Sequence, residues 1–206
     1  MSDPVVDRWI DGWTAVRGCR VSVVDGWPLV HLVGPGRDTE LVCVDPPDLT
    51  SLLPHVAGDP RAMLTVITAD RSAYQSVPLP PSVRVDRDDE ILMTTDLSPV
   101  EAPATELASS VVVEGAATRY ELTDGERMVA WATVGVVDGW ATFDRVETIP
   151  SHRRRGLGRH VMGRLTELAI ERGATHGVLA ASVDGRGLYE ALGWSRYRDL
   201  WSLMGA

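Results

Sequence analysis

Phe143-Asp144-Arg145-Val146-Glu147-Thr148-Ile149-Pro150-Ser151-His152-Arg153-Arg154-Arg155-Gly156-Leu157-Gly158-Arg159 reads as a strand end, a short breaker, a glycine-arginine turn and the start of a helix. The strand-like run ends near Thr148 and the helical pattern begins near Gly156. A helix entered from such a turn presents unsatisfied backbone N–H groups, and its macrodipole adds positive potential there. Arg153, Arg154, Arg155 and Arg159 surround the turn, and guanidinium groups match phosphate oxygens in charge and geometry. The segment predicts a cradle for phosphate or pyrophosphate.

Working outward, Leu157, Val161, Leu165, Leu168 and Ala169 share one face of a helix over 156–172, which Gly173 stops. A buried strand at 177–183, a short helix at 186–192 and a strand at 195–204 follow. Upstream, strands at 109–114, 117–123, 127–137 and 139–148 form an antiparallel meander, with Asp124-Gly125 and Asp138-Gly139 as hairpin turns. This order predicts an α/β domain, a mixed sheet with helices on its faces, over 106–206. Residues 1–105 predict a smaller α/β domain. It has a helix at 4–17 ended by Gly18, strands at 20–24, 28–33 and 40–44, a helix from Asp48 to His55, a strand at 63–68 and a hairpin over 83–96. The loop 98–105, rich in Pro, Ala and Glu, is the expected boundary. Val-Val-Asp-Gly-Trp occurs at both 23–27 and 136–140 but aligns nothing around it. A different registration, through the helix at 48–55, leaves two readings of the first half open: an unrelated α/β domain, or a degenerate repeat of the second.

Composition narrows the function classes. Net charge is −9 over 206 residues, which argues against nucleic acid as a general partner, and all 20 basic residues are arginine. The first 105 residues carry a net −8 and the remainder −1, so the positive charge gathers around the glycine turn. No apolar run is long enough for a membrane span and the N-terminus has no signal-peptide pattern, so a cytoplasmic protein is expected. Cys19 and Cys43 read as packed thiols, and the five histidines form no metal-ligand spacing.

Gly156-Leu157-Gly158 does not complete a dinucleotide fingerprint, because Val161 stands at the third glycine position and no acidic residue ends the next strand. A P-loop is excluded by the lack of Gly-Lys-Ser/Thr. The segment closely resembles motif A of the GNAT superfamily of acyl-CoA N-acyltransferases, with Arg153 at the first position of its Gln/Arg-x-x-Gly-x-Gly/Ala pattern. Leu188-Tyr189-Glu190-Ala191-Leu192-Gly193-Trp194 resembles the family's Leu-Tyr-x-x-x-Gly-Phe segment, in the right order. The resemblance covers about 109–206. It implies acetyl-CoA as acyl donor and an amine as acceptor. It also implies that Val146, Glu147 and Thr148 contact the acetyl and pantetheine portion, and that Arg153, Arg154, Arg155, Gly156, Leu157, Gly158 and Arg159 wrap the pyrophosphate. Tyr189 would be the general acid for the CoA thiolate. Ser182 stands where many relatives have a cofactor-touching asparagine.

The chemistry requires a proton donor for a thiolate, an oxyanion site and a route for the amine proton. Asp144 and Glu147 are the nearest carboxylates, but alternation sends them to opposite faces unless a bulge intervenes. Both are also candidate ion-pair partners of the arginines. Trp131, Trp140 and Trp194 are read either as core or as walls of an acceptor pocket. The function expected is N-acetyl transfer to a small-molecule or peptide amine, the alternative a silent acyl-CoA-binding module. The first half would serve the acceptor site or an oligomer interface such as a homodimer's.

Overall fold

The computed structural model describes residues 3–206. Along the chain lie α1 (Pro4–Arg17), β1 (Arg20–Val24), β2 (Trp27–His31), β3 (Thr39–Val44), a 3-10 helix (Thr50–His55), β4 (Ala62–Thr68), α2 (Ser72–Gln75) and β5 (Val83–Asp96). These are followed by β6 (Ala108–Glu114), β7 (Ala117–Asp124), β8 (Arg127–Val137), β9 (Trp140–Thr148), α3 (Leu157–Glu171), β10 (His176–Ala181), α4 (Val183–Glu190) and β11 (Ser195–Gly205). Eleven strands make one mixed sheet in the order β1-β2-β3-β4-β11-β5-β10-β9-β8-β7-β6.

That order is symmetric about the contact between β11 and β5. On one side β4, β3, β2 and β1 follow outward, and on the other β10, β9, β8 and β7. Each half contains one parallel pair, β3 with β4 and β9 with β10. The halves exchange their last strands: β5 pairs with β10, and β11 pairs with β4. The run from β1 to β5 thus follows the strand and crossover order of the run from β7 to β11, while α1 and β6 have no counterpart. The two Val-Val-Asp-Gly-Trp copies fall at non-equivalent hairpins, β1–β2 and β8–β9, and share only their turn, with positive φ at Asp25-Gly26 and Asp138-Gly139.

Three expectations are corrected. Residues 83–96 form one fourteen-residue strand, because β5 pairs with β11 from Val83 to Thr94 and with β10 from Ile91 to Asp96 and contains no turn dipeptide; register shifts against β11 absorb its irregularity. The helix expected from Asp48 is a 3-10 helix from Thr50, with Pro54 inside it and Asp48 accepting the Thr50 amide at 2.9 Å. The last helix begins at Val183, three residues early, because Ser182 is its N-cap. The short helix α2 was not expected at all.

The sheet buries both faces. α3 covers one side of the second half, packing Leu157, Val161, Met162, Leu165 and Ala169 against strand residues such as Ala132, Val134 and Phe143. α1 covers the opposite face through Val6, Trp9, Ile10 and Trp13, against Val42, Leu92, Val178 and Leu200. Each such side chain removed from water contributes about 1.5–3 kcal/mol before entropy is counted. Asp3 caps α1 by accepting the Val5 and Val6 amides at 3.0 and 3.3 Å, Pro4 occupies the first turn, and Gly18 ends the helix in the left-handed region. α1 sits close to the sheet because Gly12 faces Thr142: a Cβ at residue 12 would lie 2.0 Å from Thr142 Oγ1. Along α3, His160 Nδ1 donates to Pro103 O at 2.6 Å and ties down the loop 98–105. No helix among the described residues is long and apolar enough to cross a membrane.

Candidate active site

The two parallel pairs differ at the point that matters. β3 and β4 stay paired over six registers, from Thr39–Ala62 to Val44–Ile67. β9 and β10 pair at only three, from Trp140–His176 to Thr142–Val178, and then diverge. The gap opens beyond Thr142, at the carboxyl end of two parallel strands, the location where open α/β sheets take ligands. The segments leading to the crossover helices differ as well. In the first half Asp45-Pro46-Pro47-Asp48 offers carboxylates and two residues without N–H groups, whereas the second half has the arginine-glycine turn.

At that turn, Arg154 and Gly156 adopt positive φ and lead into α3. Among the described residues, the amides from Arg154 to Arg159 have no acceptor in the chain, and the first backbone bond runs from His160 N to Gly156 O at 3.0 Å. Arg153, Arg154, Arg155 and Arg159 are exposed, and no carboxylate among the described residues pairs with any of them. In a chain of net charge −9 this leaves a concentrated cationic surface beside free N–H donors. Arg153 is partly committed: its Nε donates to Thr148 O at 3.1 Å, joining the strand end to the turn. Gly158 lies over α4, where an added Cβ would stand 3.1 Å from Leu188 Cδ2.

The bulge posed as a condition is present. Thr133 pairs with Asp144 but Trp131 pairs with Glu147, so an extra residue lies between them, and Arg145 adopts φ +53°. Trp131 and Thr133 are two apart on β8 and share a face, so Asp144 and Glu147 do too. It is the α1 face. There Arg17 holds Asp144 with two bonds, Nε to Oδ2 at 2.7 Å and Nη2 to Oδ1 at 2.8 Å. Glu147 is exposed.

Tyr189 is buried on the α3 side of the sheet, tilted against Trp194, which packs edge-on to Phe143. Burial, followed by the Asp144 and Glu147 carboxylates, pushes its phenol up to about 12. It is therefore protonated at neutral pH. A cleft of about 200 Å³ runs through the splayed strands, bordered by Tyr189, Phe143 and Val146 on one side and by Thr142, Asp144 and Ser182 on the other. Ser182 caps α4 by accepting the Gly185 amide at 3.4 Å.

Of the tryptophans singled out in the sequence, Trp194 is core, Trp140 stacks on His176 at 4.9 Å, and Trp131 lies beside the bulge. None borders this cleft. Instead Trp9 and Trp13, stacked at 5.3 Å, form its wall, and Arg37, Glu40, Arg87 and Glu90 of the first half line it further in. The sequence carries no spacing that brings these residues to Tyr189. The one available hint is the charged Glu40 at the head of an apolar strand, where it is buried with Arg37 Nη1 at 2.6 Å and Thr65 Oγ1 at 2.6 Å.

Residues 93–194 match the model of the acetyltransferase (GNAT) family. No curated protein matches the chain in sequence. Among solved structures, the chain is similar to a GCN5-related N-acetyltransferase from Kribbella flavida, with 20% identity over 98% of this chain and 94% of that one, and a TM-score of 0.67. A GNAT-family protein from Novosphingobium aromaticivorans DSM 12444 shares 18% identity over the full length of both chains, with a TM-score of 0.66. A tandem GNAT protein from the clavulanic acid biosynthesis pathway shares 13% identity over 90% of this chain and 81% of that one, with a TM-score of 0.58. At these identities the likeness is one of fold.

Proposed function

We propose, from the premise that this chain belongs to the GNAT acetyltransferase family through its domain at residues 93–194, that it transfers the acetyl group of acetyl-CoA to the primary amine of a small molecule or peptide. The observation that carries the reading is the separation of β9 from β10 after three registers, beside a turn with six unengaged amides and with Tyr189 in the same gap. The residues suit the donor. The amides from Arg154 to Arg159 and the unpaired arginines would hold the pyrophosphate, and the strand end Val146-Glu147-Thr148 would receive the pantetheine and acetyl portion. In this reading residues 1–105 form the acceptor side of the cleft and 106–206 the donor side.

When the amine nitrogen bonds to the acetyl carbon and the carbon–sulfur bond breaks, negative charge passes from the carbonyl oxygen to sulfur. Backbone N–H groups at the bulge near Val146 oppose the first charge. Tyr189 Oη gives its proton to the second, a role its raised pKa permits at neutral pH. Glu147, exposed on the acceptor face and free of the Arg17 clamp, takes the amine proton directly or through water. Asp144, held at both oxygens, acts by charge and position rather than as the base.

The same clamp favours the second reading, an acyl-CoA-binding module without turnover. One experiment separates the two. Calorimetry with acetyl-CoA tests the cradle, and thiol release over a panel of amines tests transfer. Binding with amine-dependent thiol release supports the enzyme, and binding without release for any amine supports the silent module. Lack of binding at millimolar acetyl-CoA overturns both.

A further inference from the structure

The acceptor cleft carries its own charge pattern, opposite to that of the half that builds it. Residues 1–105 have a net charge of −8, yet the charged groups lining the cleft are four arginines and three carboxylates. Three pairs are formed inside it: Arg17 with Asp144 at 2.7 Å, Arg37 with Glu40 at 2.6 Å and Arg87 with Glu90 at 3.2 Å. Arg145, raised on the bulge, pairs with no carboxylate among the described residues. The Arg87 pairing is loose. Its Nη1 reaches both Glu90 oxygens at 3.2–3.3 Å and its Nε stands 3.4 Å from Asp86, while its Nη2 has no acceptor among the described residues. The Thr142 hydroxyl, which packs against Gly12 of α1, is wholly buried and without a partner, and it takes no part in the charge pattern.

We infer that the acceptor is a small amine that also bears a carboxylate, the chemical class of the free α-amino acids. This rests on the N-acetyltransferase reading above. The amine lies toward Tyr189, Asp144 and Glu147, and the carboxylate takes the open guanidinium donors of Arg87, with Arg145 supplying the uncompensated charge. A planar guanidinium with a free terminal nitrogen is suited to a carboxylate. A polyamine would bring only positive charge to a cleft that already holds an excess of it.

The test uses matched pairs that differ by the carboxylate alone: phenylalanine with phenethylamine, and ornithine with putrescine. Binding is measured by calorimetry on the CoA-saturated protein, and thiol release is followed in parallel with acetyl-CoA. The expected result is at least tenfold tighter binding of the carboxylate member of each pair. Arg87→Gln should reduce that preference to below threefold. Arg145→Gln, at an exposed residue without an ion pair, should lower it as well and does so without disturbing a packed partner. Equal affinity within each pair, tighter binding of the decarboxylated member, or failure of all four ligands to bind overturns the inference. A carboxylate preference in binding with no thiol release supports the carboxylate site, overturns its role as an acceptor site, and favours the acyl-CoA-binding module without turnover. If CoA itself does not bind, the same pairs titrated against the free protein decide the inference alone.

Discussion

Replacing Gly158 with aspartate tests the cradle by charge, and replacing it with alanine tests it by bulk. A Cβ at residue 158 meets Leu188 Cδ2 at 3.1 Å, the free end of a flexible side chain, so alanine requires a shift of a few tenths of an ångström. The helix preference of alanine, up to about 1 kcal/mol over glycine, offsets that adjustment. Gly158→Ala is therefore expected to melt like the parent and to bind CoA within about threefold of it. Aspartate adds a carboxylate in the first turn of α3, where unengaged amides await an anion. Taken about 5 Å from a pyrophosphate of two charges, at an effective dielectric of about 40 for a surface cradle, the repulsion is about 3 kcal/mol, or about 200-fold in Kd. The free carboxylate also stabilises the helix N-terminus, so loss of affinity should come without loss of folding. Calorimetry with CoA and thermal melts of the three proteins at low salt read both quantities, and the aspartate penalty should shrink in half-molar salt. Unchanged affinity in Gly158→Asp would refute the placement of the pyrophosphate, and an equal loss in Gly158→Ala would show that space, not charge, governs the site.

Tyr189→Phe should leave the Kd for acetyl-CoA unchanged and lower the transfer rate by about 100-fold, the scale of a positioned proton donor; a rate equal to the parent's removes the phenol from the mechanism. Because the folded-state pKa of Tyr189 is raised from 10.0 to about 12, its contribution to stability is complete below pH 10 and is lost as pH rises toward 12. Denaturant titrations should show the parent losing more stability than Tyr189→Phe across that window, and parallel losses would contradict the burial of the hydroxyl. Gly12→Ala, although it improves helix propensity, drives a Cβ to 2.0 Å from Thr142 Oγ1 and should cost about 1–3 kcal/mol in urea unfolding; an unchanged midpoint would mean that α1 does not sit so close. Asp3 has its pKa raised by burial but lowered further by bonds from Tyr197, the Val6 amide and Arg198, for a net fall below 3.8. Its contribution is therefore present above pH 3.8 and lost as pH falls through the lower folded value, so Asp3→Asn should be destabilised at neutral pH by about 1–2 kcal/mol, with the gap to the parent closing in acid. A gap that is constant with pH would count against the ionic role.

Much of the second half was legible because its signals are local. The meander turns are dipeptides with positive φ at their glycines, α3 declares itself by spacing, and the arginine-glycine turn is contiguous. The long strand β5 differs from the expected hairpin because its charged stretch, Arg84 to Asp89, is held extended by β11, a partner more than a hundred residues away, before β10 joins on the other side from Ile91 onward. The start of α4 is displaced from the expected one because the apolar run reads as a strand through residue 183, whereas β10 ends at Ala181 and Ser182 caps the helix. Of the two readings of Trp131, Trp140 and Trp194, the structure has Trp194 in the core and none of the three at the cleft; Trp9 and Trp13 reach it instead because α1 crosses the sheet next to Gly12, more than a hundred residues from Thr142.

The sequence by itself determined the arginine-glycine turn on which the proposed donor site rests, since a row of backbone amides, two glycines and four arginines lie within seven residues and require no distant partner to assemble. Only the tertiary structure decided the cleft proposed for the acceptor. The exchange of β5 and β11 brings Arg87 and Glu90 beneath the splayed strands, the bulge at Arg145 turns Asp144 and Glu147 to one face, and Arg17 then clamps the first and leaves the second exposed. Side-chain direction in a strand depends on register, and register is set by neighbours in space.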